Sequence, residues 1–332
     1  MQRLTGIDTS VAPQTSVEEL LNLLYQMLFI RRFEERVGEM YTRGKVGGYV
    51  HLNIGEEASI VGAYSALAAR DVVFTSYREH GHALARGIEP RRVMAELFGK
   101  ETGVSRGRGG SMHMMDRSKG FMGGWGIVGG HLPLAVGAAF AHKYRGGDGI
   151  VACFFGDGAT NIGAFHESLN LAKIWRLPIL FVLVNNQYGM GTAIERVSAL
   201  AKPYQKASAY GIGSERADGM DVLATRNACV RCVDMVRTNS EPYLLELLTY
   251  RFKGHSVSDP SRYRDAAEVK RWTDDDPIGL FQLRLQEAGI VDPSSFMAME
   301  RRIDAEIGEA VTFAEESPFP SVASLYDHVL YP

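Results

Sequence analysis

The chain has 332 residues, of which 45% are hydrophobic and 23% are charged, and its formal net charge is −3. These values are typical of a globular protein, and the near balance of charges excludes a general attraction to nucleic acid or to anionic membranes. No apolar run approaches the roughly 18 residues that a transmembrane helix requires. The length allows one large α/β domain or two small ones.

The N-terminal segment and the cysteines bear on the cellular compartment. Residues 1–16 are polar and resemble neither a signal peptide nor an arginine-rich transit peptide, which indicates a cytoplasmic protein. Cys229 and Cys232 form a Cys-x-x-Cys pair inside residues 224–237, a segment with the pattern of a helix. We interpret them as reduced cysteines of a helix rather than as a redox or zinc site.

The N-terminal region is predicted to be helical. Ser16 is a suitable N-cap, Glu18 and Glu19 follow in the first turn, and apolar residues then recur at helical spacing to residue 43. We expect this extension, about residues 16–45, to pack on the core or on a partner. The pattern next predicts a helix over 56–69, a strand over 71–76 and a helix over 90–98.

Residues 99–130 are rich in glycine and have no sustained hydrophobic period, so we expect a long loop, which is usually functional or mobile. Residues 124–129 match the pattern Gly-x-Gly-x-x-Gly. A dinucleotide fingerprint requires a strand before it and an acidic residue at the end of a second strand. Residues 116–123 are not predicted as a strand and no such acidic residue follows, so NAD binding is not expected. A buried helix of small residues is predicted over 132–144.

The segment 150–186 is the most informative part of the chain. One apolar run ends in Gly-Asp-Gly at 156–158, a second ends in Asn-Asn at 185–186, and the residues between them, about 161–174, have a helical pattern. Apolar runs of this kind are typical of buried parallel strands. The crossover of such a βαβ unit is right-handed, so both polar loops should lie at the carboxyl edge of one sheet, where open α/β sheets bind ligands.

The residue types in these two loops indicate a phosphate site. An Asp and an Asn in neighbouring loops suit Mg²⁺, which takes few protein oxygens and completes its octahedron with phosphate and water. Gly158 and Ala159 are predicted to begin the following helix, whose N-terminus favours an anion, and small residues there allow its close approach. The sequence therefore predicts a diphosphate bridged by Mg²⁺.

The rest of the chain completes an α/β pattern. We expect a polar loop over 189–206, a helix over 221–238, a strand over 243–250 with His255 in its exit loop, and a charged helical region over about 265–332. There is no internal repeat and no clear linker. The predicted fold is an open, mostly parallel sheet with helices on both faces and helical extensions at both termini, forming a single domain over 1–332.

The chain resembles a known family. Gly-Asp-Gly followed after the 26 residues 159–184 by Asn-Asn is the pattern of thiamine-diphosphate-dependent enzymes. Nearly the whole chain resembles the alpha subunit of the E1 component of 2-oxo acid dehydrogenase complexes, of the pyruvate and acetoin type rather than the branched-chain type. The resemblance is carried by the segments HLNIGEEA (51–58), TSYREHGH (75–82), GRGGSMHM (107–114) and GHSVSDP (254–260).

The resemblance implies a thiamine-diphosphate-binding fold and a set of site residues. It implies that Mg²⁺ is bound by Asp157, Asn186 and the backbone carbonyl of Tyr188, so that a Tyr188→Phe substitution should be mild. It implies catalytic roles for His51 and His255, as groups that exchange a proton near neutral pH. The cofactor-binding residues that it implies are Tyr77, Arg78, Gly126, Val128, Asp157, Gly158, Ala159, Asn186 and His255.

Other polar residues near these segments are assigned differently. Asn185 is expected to be structural, and His82, His113 and His142 are expected to be packed or surface residues. His131 stands where pyruvate-type members of the family often carry another polar residue, so the chain departs from the family pattern at this position.

The resemblance also implies partners. Activation of thiamine diphosphate requires a glutamate from a pyrimidine-binding domain, and no segment of this chain resembles that domain. In two-chain members the domain is a separate subunit, which implies an α₂β₂ heterotetramer with an E1 beta subunit and transfer of the acyl group to a lipoyl-bearing E2 protein. The N-terminal helix and residues 132–141 are candidate contact surfaces.

The resemblance implies, as the leading function, the alpha subunit of a pyruvate dehydrogenase E1, and three alternatives to it are weighed. An acetoin dehydrogenase alpha subunit would use the same cofactor and fold, and the segment ATNIGAFHE (159–167) fits it well. A non-catalytic cofactor-binding paralogue is disfavoured by the complete set of site residues, and a branched-chain enzyme is disfavoured by the segments above.

Overall fold

The computed structural model describes residues 15–327 and residue 329, so the expectation about targeting signals in residues 1–14 lies outside the described residues. The strands are β1 (Val72–Ser76), β2 (Phe121–Trp125), β3 (Val151–Gly156), β4 (Ile179–Asn185), β5 (Tyr188–Gly189), β6 (Thr192–Ala193), β7 (Gly213–Asp218) and β8 (Tyr243–Leu248). Six of them form one parallel sheet in the order β2-β1-β3-β4-β8-β7, and β5 pairs with β6 as a short antiparallel hairpin.

Helices precede, connect and follow these strands, which confirms the predicted α/β class with helices at both termini. In the described chain they are α1 (Val17–Thr42), α2 (Glu57–Tyr64), α3 (His80–Ala85), α4 (Pro90–Leu97), α5 (Leu132–Tyr144), α6 (Gly163–Ile174), α7 (Val222–Asn239), α8 (Ala266–Asp274), α9 (Pro277–Glu287) and α10 (Pro293–Glu316). None of them has both the length and the apolarity needed to cross a bilayer.

The central strands are buried on both faces, which explains their continuous apolar sequence. In β3, Ala152 and Phe154 join a core with α1, α2, α4, α7 and α10, whereas Cys153 and Phe155 join a second core with α5 and α6. Every residue of β4 is buried. The two cores pack on opposite faces of the sheet and leave its carboxyl edge accessible to a ligand.

The N-terminal helix packs on the chain's own core. Its first turn is closed by a capping box, in which Glu19 N–H donates to Ser16 Oγ at 3.2 Å and Ser16 N–H donates to the Glu19 carboxylate at 2.9 Å. Leu24, Met27 and Phe33 are fully buried inside the chain. The sequence left open whether this helix packs on the core or on a partner. Packing on the core accounts for its apolar face.

The expectation of one long loop over 99–130 is wrong, because β2 lies within it. Phe121 pairs with Val73 and Gly124 pairs with Thr75 of β1, so residues 116–123 do run into a strand. The strand was missed because its sequence, Phe-Met-Gly-Gly-Trp, has two glycines, which disfavour strands. The register shifts between its two pairs, where Gly123 has a φ of +88°, as in a bulge.

The remaining part of that segment is ordered by one buried carboxylate. Glu96, at the end of α4, accepts hydrogen bonds at 2.7–3.1 Å from four backbone N–H groups, those of Ser105, Gly107, Gly109 and Gly110. Four charge-assisted hydrogen bonds fix the path of a glycine-rich segment that has no hydrophobic pattern of its own.

Other element boundaries also differ from prediction. The helix expected over 56–69 ends at Tyr64, and neither α3 nor the polar edge strand β7 was predicted. Gly158 and Ala159 do not begin an α-helix: residues 157–161 form a 3₁₀ turn, and α6 begins at Gly163. The helix over 221–238 is confirmed as α7, capped by Asp221 and containing the buried, unpaired Cys229 and Cys232.

Candidate active site

The loops that leave the carboxyl ends of β1, β3, β4 and β8 surround one cavity of about 620 Å³. The parallel pairing of β3 with β4, with Gly156 opposite Val184, brings the loops after these two strands side by side. The structure brings all sequence-predicted site residues to the wall of this cavity: His51, Tyr77, Arg78, Gly126, Val128, Asp157, Gly158, Ala159, Asn186, Tyr188 and His255.

Two side-chain oxygens in the cavity wall are buried without a hydrogen-bond partner. They are Oδ2 of Asp157, a residue that is 2% exposed, and Oδ1 of Asn186, which is 8% exposed. Burial raises the pKa of the Asp157 carboxyl to about 7. A buried carboxylate without a compensating partner is costly, and a cation would remove that cost. Around these atoms the described residues offer no cluster of three or more acidic, histidine or cysteine ligands.

The Tyr188 carbonyl, the third predicted metal ligand, is held by a buried arginine. Arg251 donates from Nη1 to the Tyr188 carbonyl at 3.2 Å and from Nη2 to the Met190 carbonyl at 3.2 Å. Its Nη2 also donates to the Tyr263 hydroxyl at 3.0 Å. Arg251 is 1% exposed and therefore fixes the backbone of the loop after β4. A carbonyl oxygen has a second lone pair, so Tyr188 keeps a site for another partner.

The 3₁₀ turn after β3 is compact and anchored. The Thr160 hydroxyl donates to the Asp157 carbonyl at 2.9 Å, and Lys206 donates from Nζ to the Thr160 carbonyl at 3.0 Å. A Cβ built on Gly189 would lie 3.4 Å from the Cα of Gly158, so the two loops are in direct backbone contact. Gly158 and Ala159 of this turn line the cavity beside Asp157, whereas no residue of α6 is among its lining residues.

Arg78 is tied to the backbone of both histidine-bearing segments. It donates from Nη1 to the Leu52 carbonyl at 2.7 Å and from Nη2 to the His255 carbonyl at 2.8 Å. Its implied role in binding the cofactor stays a prediction. These two contacts use two of the five N–H groups of the guanidinium and leave three for another partner. The observed contacts position His51 and His255 relative to each other.

The side chains of His51, Tyr77 and His255 form one ring cluster. The ring centroids are 4.6 Å apart for His51 and Tyr77, 5.0 Å for the two histidines and 5.7 Å for Tyr77 and His255. Both histidine Nδ1 atoms are buried without a partner. Burial, followed by the charge of Arg78, lowers the pKa of His51 to about 3 and that of His255 to about 4. Both rings are therefore neutral at physiological pH and each offers one donor and one acceptor.

Two further buried histidines line the cavity. The Nε2 atom of His131 lies 2.8 Å from the Phe154 carbonyl and donates to it, while its Nδ1 has no partner. The ring of His82 packs against the Phe154 ring at 4.9 Å. Burial lowers the pKa of His131 to about 4 and that of His82 to about 3. His82, expected to be an ordinary packed residue, thus lies beside the predicted site.

Comparison with known proteins assigns the family. The sequence profile of the dehydrogenase E1 component matches residues 25–323. The chain belongs to the dehydrogenase E1 component family. It is 46% identical over 315 residues to the pyruvate dehydrogenase E1 component subunit alpha of Zymomonas mobilis, covering 94% of this chain and 89% of that protein. It is 43% identical to the protein of the same name from Rhizobium meliloti and 42% identical to that from Porphyra purpurea; these matches cover 95% and 92% of this chain, and 91% of each relative.

The E1 family depends on thiamine diphosphate, and the residues present fit this cofactor with a divalent cation. The unpartnered oxygens of Asp157 and Asn186 are hard ligands of the type that Mg²⁺ prefers. Gly158 and Gly189 leave the neighbouring backbone without side chains, so an anion can approach it closely. Asp157 is the single carboxylate among the predicted ligands. One carboxylate is sufficient when the oxygens of a diphosphate supply further ligands of the cation.

Several residues that shape the site of this E1 chain were missed from sequence. Glu56 accepts a hydrogen bond from the Asn186 amide, and Arg251 donates one to the Tyr188 carbonyl. Glu246 accepts a 2.6 Å hydrogen bond from the Asn185 amide. The last contact agrees with the structural role expected for Asn185. One signal was available, since Glu246 interrupts the apolar strand β8 and a charge in a buried strand is retained only with a partner.

Tyr188→Phe should leave turnover, assayed with the E1 beta subunit present, close to the wild-type value and should lower the stability of this chain slightly. The Tyr188 hydroxyl donates to Glu268 at 2.8 Å, whereas the predicted ligand is the backbone carbonyl, which the substitution retains. Loss of one hydrogen bond of this kind costs about 0.5–1.5 kcal/mol of unfolding free energy. Urea unfolding and steady-state kinetics check both values, and a large loss of Mg²⁺ affinity would show that the ring matters to the site.

Proposed function

We propose that this chain is the alpha subunit of a pyruvate dehydrogenase E1 component and that the cavity binds thiamine diphosphate together with Mg²⁺. The observation that carries the proposal is the pair of buried, unpartnered oxygens on Asp157 and Asn186 at the carboxyl edge of the sheet. The names of the three relatives favour pyruvate over acetoin as the substrate. The reaction is the oxidative decarboxylation of pyruvate with transfer of the acetyl group to a lipoyl group on E2.

The ligand roles follow from the positions of the residues. Asp157, Asn186 and the carbonyl of Tyr188 would hold Mg²⁺, and the backbone at Gly158 and Ala159 would bind the diphosphate. When bound, the cofactor supplies a nucleophilic carbon and an electron sink for the departure of CO₂. We propose further contacts of the cofactor with Tyr77, Arg78, Gly126, Val128 and His255.

The ring cluster is proposed to handle protons and to orient the substrate. Burial lowers the pKa of His51 to about 3 and that of His255 to about 4, well below the neutral range implied by the resemblance. Both rings are therefore neutral at physiological pH, so each is suited to donate its N–H to a developing oxyanion and is only a weak proton acceptor. Their packing with Tyr77 restricts the motion of both rings. A donor that is already oriented stabilises a developing charge without a cost of reorganisation.

The proposed assembly is an α₂β₂ heterotetramer with an E1 beta subunit, which passes its product to a lipoyl-bearing E2 acyltransferase. The name of the relatives, subunit alpha, supports a second kind of chain. The outer face of α5 supports a protein contact there, because Leu134, Phe140 and Tyr144 are exposed by 43%, 45% and 83%. We also propose that the chain forms a single diphosphate-binding domain, since both hydrophobic cores share one sheet. We propose a cytoplasmic location as well, because the free cysteines suit a reducing compartment.

The chain alone should not turn over pyruvate, and activity should appear when the E1 beta subunit encoded in the same genome is added. The reason is that the resemblance implies an activating glutamate supplied by the pyrimidine-binding domain of a separate subunit. The measurement is reduction of an artificial electron acceptor with Mg²⁺ and thiamine diphosphate, using the chain alone, the partner alone and the mixture. Pyruvate, acetoin and a branched 2-oxo acid are supplied in turn.

Each result of this assay separates one part of the proposal. Pyruvate-dependent reduction in the mixture alone supports both the subunit assignment and the substrate. A preference for acetoin would keep the cofactor site and replace the substrate. Turnover by the isolated chain would contradict the subunit assignment.

A further inference from the structure

The orientation of the Asn186 amide is set by a neighbouring carboxylate. The amide has an oxygen that can bind a cation and an NH₂ group that cannot. In the structure Asn186 Nδ2 donates to Glu56 Oε1 at 2.7 Å, and Asn186 Oδ1 is buried without a partner. An ionised carboxylate only accepts hydrogen bonds, so Glu56 selects the rotamer in which the amide oxygen stays free.

Glu56 is itself held in place by a short chain of hydrogen bonds. Asn53 Nδ2 donates to Glu56 Oε2 at 3.3 Å, and Asn53 Oδ1 accepts from the Gly81 N–H at 2.9 Å, which fixes the direction of the Asn53 amide as well. Arg78 Nε lies 3.8 Å from Glu56 Oε1 and balances its charge. Glu56 is 2% exposed, so this arrangement is protected from competing water.

We propose that Glu56 is a positioning residue, which holds the Asn186 amide with its oxygen free for the cation and thereby sets the affinity of the site for Mg²⁺. This inference rests on the proposed Mg²⁺ and thiamine diphosphate site. Outer partners that orient metal ligands typically contribute 10–100-fold to metal affinity. Glu56 does not itself need to touch the cation.

The test compares Glu56→Leu with the isosteric Glu56→Gln. The leucine variant removes the acceptor and should raise the Mg²⁺ dissociation constant roughly 10–100-fold. The glutamine variant keeps a side-chain oxygen as the acceptor for Asn186, although its NH₂ group then faces Asn53 Nδ2 and that 3.3 Å hydrogen bond is lost. It should therefore lose less Mg²⁺ affinity than the leucine variant. Mg²⁺ is titrated calorimetrically into the full chain with its beta partner at saturating thiamine diphosphate, and thermal melting without Mg²⁺ verifies the fold of each variant.

A double-mutant cycle separates positioning from general structure. In an Asn186→Ala background the amide is absent, so Glu56→Leu should cause little further loss of Mg²⁺ affinity. Equal losses in Glu56→Gln and Glu56→Leu would show that Glu56 acts through its charge and would overturn the inference. Unchanged affinity in Glu56→Leu, or full additivity in the cycle, would also overturn it.

The same titration distinguishes this inference from the proposed function. A wild-type protein that binds no Mg²⁺ with thiamine diphosphate would refute the proposed cation site and, with it, the role of Glu56. A wild-type protein that binds Mg²⁺ with an affinity that Glu56→Leu leaves unchanged would refute only the role of Glu56.

Discussion

Asp157→Ala is expected to abolish the Mg²⁺-dependent binding of thiamine diphosphate while the chain stays folded. The Oδ2 atom of Asp157 is buried and has no hydrogen-bond partner, so the loss of this oxygen breaks no hydrogen bond within the described protein. It is also the only carboxylate among the predicted ligands. We expect a fall in Mg²⁺ affinity greater than the roughly 100-fold that outer partners of metal ligands contribute. Calorimetric titration of Mg²⁺ with thiamine diphosphate measures it.

The stability of the same variant should depend on pH and on Mg²⁺. Burial raises the pKa of Asp157 to about 7, so ionisation of this carboxyl opposes folding. The protonated carboxyl favours the folded state at acidic pH, and this stabilisation is lost as the pH rises through about 7. Without Mg²⁺, Asp157→Ala should therefore melt above the wild type at about pH 8, and the difference should shrink at about pH 6. Mg²⁺ with the cofactor should reverse the order, since it stabilises only the protein that binds it.

Asp148→Ala is the matched control for Asp157→Ala. Asp148 precedes β3, is exposed and pairs with Arg70 at 3.0 Å, so its removal should change neither Mg²⁺ affinity nor melting by much. Cofactor binding by Asp157→Ala that still depends on Mg²⁺ with wild-type affinity would contradict the ligand assignment. A metal-free variant that melts well below the wild type would instead assign a structural role to Asp157.

The sequence was sufficient to predict the parts of the fold that depend on local pattern. The apolar runs of β3 and β4 and the polar residues that end them, Asp157 and Asn186, placed both residues at one edge because parallel strands share a carboxyl edge. The small-residue pattern predicted α5 with its observed bounds, but the expectation that this helix is buried is wrong, because only one of its faces is buried. These features need only hydrophobic periodicity and the handedness of a βαβ unit.

Features that depend on contacts between distant residues were not predictable. The edge strand β2 contains two glycines and the edge strand β7 contains consecutive polar residues. Both strands are held by pairing with β1 and β8, which no local pattern encodes. The hydrogen bond between Glu56 and Asn186 spans 130 positions, and that between Arg251 and the Tyr188 carbonyl spans 63. Such partners become visible only when the fold brings them together.

His255→Ala is expected to lower turnover by about 10²–10⁴-fold, the range typical of a residue that transfers a proton, while thiamine diphosphate and Mg²⁺ remain bound. The backbone contacts of His255 do not involve its ring: its N–H donates to Asp259 at 2.6 Å and its carbonyl accepts from Arg78. The loop should therefore keep its path in the alanine variant. Calorimetry of the cofactor and steady-state kinetics of the assembled enzyme give the two values that are compared.

His142→Ala serves as the control, because His142 lies near the end of α5 and outside the cavity, and its turnover should match the wild type. Wild-type turnover in His255→Ala would assign the residue to packing, and lost cofactor binding would show that the proposed contact of His255 with the cofactor is essential for binding. The double alanine variant of His51 and His255 tests whether the two rings act together, because the rings are in contact. The losses of turnover should be non-additive if both rings act in one step and additive if each acts at a separate step.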